Sequence, residues 1–200
     1  MTKSTLHVRK LAVTAMLAAI ASILMLFDFS IPMLIPSFVK MDISELPALL
    51  ATFSMGPLSG VAVCLIKNIF NLLFNGSGTG GVGELCNFLL GVAFVGSAGL
   101  IYKHKKNFKG AVLASVIGSV LMALFSLPLN YFVTYPIYSK MYGGLDLIIQ
   151  AYQVIRPSTN GLLECLIIFN LPFTLVKGLI VAVITFFIYK PLSPILHGRG

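Results

Sequence analysis

Polar side chains inside apolar runs are the first candidates for chemistry in this sequence. Lys67, Asn68, Asn71 and Asn75 fall in or just after the apolar run Leu58–Phe74. On a helix, positions 67, 71 and 75 share a face, as do 68, 71 and 75. Such a face is either a polar wall inside a bundle or a seam of interhelical hydrogen bonds. A second set is Asn170, Thr174 and Lys177. Lys177 sits deep in an apolar run, where an unpaired charge is costly. It therefore requires an acid, a carbonyl or a ligand oxygen. Thr174 and Asn170 lie one and two turns before it, on the same face. Asn130 and Tyr131 follow Pro128, whose ring loosens a helix and frees a carbonyl. The plain alternatives are a snorkelling lysine and a kink with a polar plug. These groups suit holding the polar edge of a ligand.

Other chemistries lack their parts. Gly78-Thr-Gly80-Gly-Val-Gly83 fits GxGxxG, but no strand precedes it. A dinucleotide fold needs that strand. The loop does enter a helix start, where backbone N–H groups can meet carbonyl, hydroxyl or phosphate oxygens; a flexible turn is the alternative. Cys64, Cys86 and Cys165 stand apart in apolar sequence and read as small buried hydrophobes. His7, His104 and His197 lie among basic residues and read as solvated. No metal cluster, nucleophile–base pair or phosphate-binding loop sequence is present. The sequence thus predicts no enzyme, no metal and no cofactor.

The elements that must carry these residues are membrane spans. Of 200 residues, 58% are apolar and only 10% charged, against about 25% charged in soluble domains. The mean hydropathy is +0.97. Each helical span needs roughly 20 apolar residues, so the length allows about six and no separate catalytic domain. The predicted spans are 11–29, 45–54, 58–74, 84–102, 110–135 and 161–189, in one domain over 1–200. Ser44 and Glu45 are expected to cap the second span, and Gly56-Pro57 to form a tight turn. The run Leu11–Phe27 is read as a retained span rather than a signal peptide.

The net charge is +8. Its basic clusters are Lys3/Arg9/Lys10, Lys103/Lys105/Lys106/Lys109 and Lys190/Arg199, which hold nine of fourteen positive charges and no acid. The positive-inside rule places all three in the cytoplasm. Both termini are then inside, and nucleic acid is not the partner. Asp28, Asp42, Glu45, Glu84, Asp146 and Glu164 all fall at the outer face, which points to a ligand site opening outward. Ala12, Ala15 and Ala19, beside Ala18 and Ser22, form a small-residue stripe in the first span. Ala111, Ser115 and Ser119, beside Ala114 and Gly118, form another in the fifth. Either serves internal packing or a docked partner.

Several runs are similar to one known family: Phe38-Val-Lys-Met-Asp-Ile-Ser-Glu-Leu-Pro47, Phe53-Ser-Met-Gly-Pro57, Ile66-Lys-Asn68, Thr79-Gly-Gly-Val-Gly-Glu-Leu-Cys-Asn87 and Asn170-Leu-Pro-Phe-Thr-Leu-Val-Lys-Gly178. They resemble the substrate-binding S component of energy-coupling-factor vitamin transporters, above all the riboflavin-specific group. Cys86 stands where Ala is expected, and Thr174 where Asn is expected. The resemblance implies an all-α bundle of six transmembrane helices with cytoplasmic termini in a prokaryotic plasma membrane. It implies a flavin pocket between spans 4, 5 and 6, covered by the loop 30–44. Substrate-binding positions carried over are Asn130, Asn170, Thr174 and Lys177, with Val39 and Lys40 from the loop; Thr79, Asp146 and Glu164 are further candidates. The implied partners are riboflavin, with its 5′-phosphate FMN as a further ligand, membrane lipid, a transmembrane coupling subunit that docks on Ala15 and Ala19, and two ATPase subunits. Alternatives are an S component for thiamine, pantothenate or folate, an intramembrane enzyme using Glu84 or Glu164, and a ligand-free assembly subunit.

Overall fold

The structure, a computed structural model, describes the backbone of residues 3–197 and the side chains of residues 7–188. The side chains of Lys3, Lys190 and His197, and all of Arg199, lie outside the described residues, so part of the charge argument for topology falls there.

The described residues form helices, with one isolated antiparallel bridge between Phe29 and Met41. The helices are α1 (Lys3–Leu26), α2 (Glu45–Met55), α3 (Pro57–Phe74), α4 (Val82–Tyr102), α5 (Phe108–Leu129), α6 (Tyr135–Met141), α7 (Leu145–Gln153), α8 (Leu162–Cys165) and α9 (Leu171–His197). Two π turns, Asn130–Thr134 and Leu166–Asn170, run directly into α6 and α9. Among the described residues, five stretches are long and apolar enough to cross a membrane: His7–Leu26, Pro57–Phe74, Val82–Tyr102, Phe108–Met141 and Leu162–Ile188. Their outward faces carry large apolar side chains such as Leu11, Leu113, Leu124, Val183 and Phe187. Lipid solvates such a surface; water does not.

The second predicted span differs from the others. The helix α2 has 11 residues, roughly 17 Å at 1.5 Å per residue, short of the ~30 Å hydrocarbon core. Every residue from Glu45 to Phe53 is buried. It is a core helix sheathed by α1, α3, α4 and α9. Close approach makes this possible. A Cβ on Gly60 of α3 would lie 1.9 Å from Thr52 Oγ1 of α2 and 2.8 Å from the Ala48 carbonyl oxygen. Gly56, at φ 100°, makes the expected turn, with Pro57 opening α3. At the basic turn, the Asn107 side chain accepts the Gly110 N–H at 2.7 Å and caps α5.

The small-residue stripes separate. Ala111, Ala114, Ser115, Gly118 and Ser119 of α5 are all buried, where Gly118 meets Phe94 and Ser119 meets Gly178. That stripe is internal packing. On α1, Ala18 and Ser22 are buried while Ala12, Ala15 and Ala19 are exposed.

Both π turns have a proline neighbour. Pro136 lies two residues after the first and Pro172 two residues after the second. A proline lacks an N–H and crowds the carbonyl four residues earlier. Widening the helix by one residue accommodates that defect. Each π turn carries a buried asparagine, Asn130 or Asn170.

The loop after α1 closes on itself. Phe29 N–H donates to the Met41 carbonyl at 3.0 Å and Met41 N–H to the Phe29 carbonyl at 2.8 Å. Lys40 and Asp28 pair across the same point at 2.9 Å. Ile35, fully buried, pins this strap into a cluster with Tyr135, Tyr138, Ile148, Tyr152, Cys165, Leu166 and Phe169.

Candidate functional site

A cavity of about 400 Å³ lies under the strap, within the roughly 300–1,000 Å³ of small-molecule sites. Its walls come from every part of the bundle that faces the strap. Met25 and Asp28 close one side, and Phe38, Val39, Lys40 and Asp42 belong to the strap. Asn71, Asn75, Gly76, Gly78, Thr79, Gly83 and Glu84 form a polar side from the end of α3 to the start of α4. Cys86, Leu90, Met122, Phe173, Tyr135, Tyr138 and Tyr142 supply apolar and aromatic surface, and Asn87 adds a polar carboxamide among them. Asn130, Thr134, Asn170, Thr174 and Lys177 complete the wall.

The partner that Lys177 requires is an acid. Its Nζ donates to Asp42 Oδ2 at 2.8 Å and lies 3.5 Å from Glu45 Oε2. Lys67, fully buried, donates to Glu45 Oε1 at 2.6 Å and to Ser44 Oγ at 2.5 Å. Ser44 in turn donates its hydroxyl and its backbone N–H to Asp42 Oδ1. Two lysines and two carboxylates thus form one neutral buried cluster joining the strap, α2, α3 and α9. Burial alone would raise the Asp42 carboxyl. The ammonium groups of Lys177 and Lys67, with hydrogen bonds from Lys177 and Ser44, hold it well below the usual carboxylate range. Glu45 Oε2 has no hydrogen-bond partner among the described residues.

This cluster corrects two expectations. Ser44 makes no side-chain cap on α2, because its hydroxyl is committed to the buried ions. Lys67 and Asn68 form no cavity wall: Lys67 is consumed by Glu45 and Ser44, and Asn68 Nδ2 donates to the Cys64 carbonyl at 2.8 Å. Only Asn71 and Asn75 of that face reach the cavity.

A second network orients Asn170. Tyr152 O–H donates to Asn170 Oδ1 at 2.6 Å, Asn170 Nδ2 donates to the Tyr135 oxygen at 2.9 Å, and the two tyrosine hydroxyls bond each other. Burial, with the Tyr135 hydroxyl beside it, pushes the Tyr152 phenol well above its ordinary value, so it stays a donor. Asn130 Oδ1 lies 3.6 Å from Cys86 Sγ, and Thr134 donates to that sulfur at 3.3 Å.

Seven of the nine substrate-binding candidates meet at the cavity: Val39, Lys40, Thr79, Asn130, Asn170, Thr174 and Lys177. Asp146 and Glu164 do not line it. Asp146 is exposed in the first turn of α7, and Glu164 Oε2 accepts the Asn160 N–H at 2.7 Å. An acid at a helix start favours that end, which gives both a local role. Tyr131 points outward and packs on Phe132. Cys86 lines the cavity instead of being simply buried. The pocket is also wider than spans 4, 5 and 6, since α1 and α3 contribute. Phe38, Asn87, Tyr135, Tyr138 and Tyr142 escaped the sequence reading. The tyrosines at 135, 138 and 142 carry a signal in their helical spacing; Phe38, on an irregular loop, carries none.

Comparison with known proteins gives one answer at several levels. A family model described as "ECF transporter, substrate-specific component" matches residues 9–189. The chain is 33% identical over 188 residues to "Riboflavin transporter RibU" of Staphylococcus aureus (strain TCH60), covering 94% of this chain and 92% of that one. It is 32% identical over 190 residues to "Riboflavin transporter FmnP" of Bacillus subtilis (strain 168), covering 94% of each. Among solved structures, a chain described under "Structure and mechanism of the S component of a bacterial ECF transporter" superposes with a TM-score of 0.73 at 32% identity, over 95% of this chain and 98% of that one. With its membrane-spanning helices, its strap-covered cavity and matches that run nearly end to end, this chain belongs to the family of substrate-specific components of ECF transporters.

Proposed function

We propose that this chain captures riboflavin at the outer face of a prokaryotic plasma membrane and carries it as the S component of an ECF transporter. The observation that carries the reading is the cavity under the strap. Aromatic and aliphatic walls there suit a planar ring, and a few fixed polar groups suit its edge. Asn130, Asn170, Thr174 and Lys177 offer donors and acceptors to that edge, while Glu45 Oε2, ion-paired with Lys177 at 3.5 Å, accepts no hydrogen bond among the described residues. Val39, Lys40 and Thr79 close over the ligand. Relatives named as riboflavin transporters, similar along nearly the whole chain, support the same ligand.

In this reading α2 counts as the sixth helix of the bundle, one domain fills the chain, and both termini are cytoplasmic. The strap opens to admit ligand, and the body tilts on a coupling subunit to release it inward. Separate ATPase subunits supply the energy, and this chain catalyses nothing. The exposed Ala15–Ala19 stripe of α1 docks on the coupling subunit. Replacing Ala15 with leucine is then expected to leave flavin binding unchanged and block co-purification with that subunit; normal assembly would reject the docking role.

The test of the ligand is direct. Protein purified in mild detergent should show a visible flavin spectrum, or bind added riboflavin with quenching of its fluorescence. A colourless protein that riboflavin neither quenches on nor stabilises would reject riboflavin. Stabilisation by thiamine, pantothenate or folate would then reassign the vitamin.

A further inference from the structure

We propose that Glu84 makes this cavity select a flavin with a free ribityl chain over the same flavin ending in a phosphate. The inference rests on the flavin reading above and concerns the polar side of the cavity.

A phosphate needs free cations or free N–H groups. The cations that line the cavity are already taken, Lys40 by Asp28 at 2.9 Å and Lys177 by Asp42 at 2.8 Å. Four N–H groups at the start of α4 are taken as well. Gly81 donates to Ser77 Oγ at 2.7 Å and Gly83 to Thr79 Oγ1 at 3.0 Å. Val82 and Leu85 donate to the Thr79 and Gly81 carbonyls at 3.2 and 3.0 Å. The glycine-rich entry to this helix therefore holds itself together and offers no vacant nest at those positions.

Glu84 stands on the same side with its charge uncompensated. Ser77 donates to its Oε2 at 2.8 Å and Asn71 to its Oε1 at 3.4 Å. No lysine or arginine among the described residues forms an ion pair with it. The other cavity carboxylates, Asp28, Asp42 and Glu45, each have a lysine. A carboxylate accepts hydrogen bonds from ribityl hydroxyls. A terminal phosphate carries about −1.5 to −2 charge at pH 7, donates little and is repelled. In a partly buried site such repulsion amounts to about tenfold or more in affinity.

The test uses three probes on the whole protein in detergent, followed by flavin fluorescence: lumiflavin, which has no ribityl chain, riboflavin, and riboflavin 5′-phosphate. The parent is expected to bind riboflavin at least about tenfold more tightly than its phosphate. Glu84→Gln removes the charge at nearly constant size and keeps one acceptor oxygen of the two that Ser77 and Asn71 now use. It should tighten the phosphate about tenfold relative to riboflavin, which loses an acceptor for its hydroxyls, and leave lumiflavin, which has no such hydroxyls, the least affected. Glu84→Asp, which keeps the charge, should retain the discrimination. Equal binding of both flavins by the parent, an unchanged ratio in Glu84→Gln, or a lumiflavin shift as large as that of the phosphate would overturn the proposal. A parent that binds none of the three overturns the flavin reading itself, a result visible before any variant is made.

Discussion

Lys177→Met is expected to abolish flavin binding and to destabilise the protein by about 3–5 kcal/mol. The two effects have different origins. Lys177 is one of two lysines that balance Asp42 and Glu45, all within a cluster almost wholly removed from solvent. Removing it leaves two buried carboxylates with one lysine, and an uncompensated buried charge is the costly outcome. Asp42 is also the strap's tie to α9, so its release loosens the cover of the cavity. The double variant Lys177→Met/Asp42→Asn separates the roles. It restores neutrality with Glu45 and Lys67 as the remaining pair. Its melting temperature should return most of the way to the parent's, while flavin affinity stays lost. A single variant that melts like the parent would reject the cluster's structural role. A double variant that binds flavin normally would remove Lys177 from the ligand's contacts.

The second large effect is expected far from any ligand contact. Gly60→Ala places a methyl where Thr52 Oγ1 and the Ala48 carbonyl oxygen already sit, at 1.9 and 2.8 Å. The hydroxyl can rotate away; the backbone oxygen cannot, so α2 must move. Overpacking of this kind costs roughly 1–3 kcal/mol. Here it also shifts Glu45 at the head of α2 and hence the ion cluster. We expect a lower melting temperature and weaker flavin binding together, read in the same detergent by thermal unfolding and fluorescence titration. Thr52→Ser should leave both near the parent's values, since it keeps the hydroxyl bond to Ala48 and shortens the side chain. A Gly60→Ala protein that melts and binds like the parent would show that α2 is not held by close approach.

The sequence made the membrane class legible through composition, and it made Lys177 conspicuous through its isolation. It also put Asn130 two residues after Pro128 and Asn170 two residues before Pro172, without revealing that each asparagine sits in a π turn. Hydropathy counted α2 as a span because it measures polarity and not length against the bilayer; only packing shows Glu45–Phe53 wrapped by four helices. The pairing of Lys177 with Asp42, 135 positions apart, was invisible because no local spacing encodes it. Asp146 and Glu164 were drawn toward the pocket by their side of the membrane alone. A charge's depth says nothing about the direction in which its side chain turns.

The neutrality of the Asp42–Glu45–Lys67–Lys177 cluster has a consequence for the energetics of transport. The membrane potential does about 2.3 kcal/mol of work per elementary charge for each 100 mV crossed. A body that tilts while carrying one unpaired lysine would be driven or held by the voltage in proportion to the depth that the lysine travels. With two charges of each sign locked together, the cluster moves as a compact multipole and contributes almost no gating charge. The membrane voltage therefore has little grip on the cluster itself.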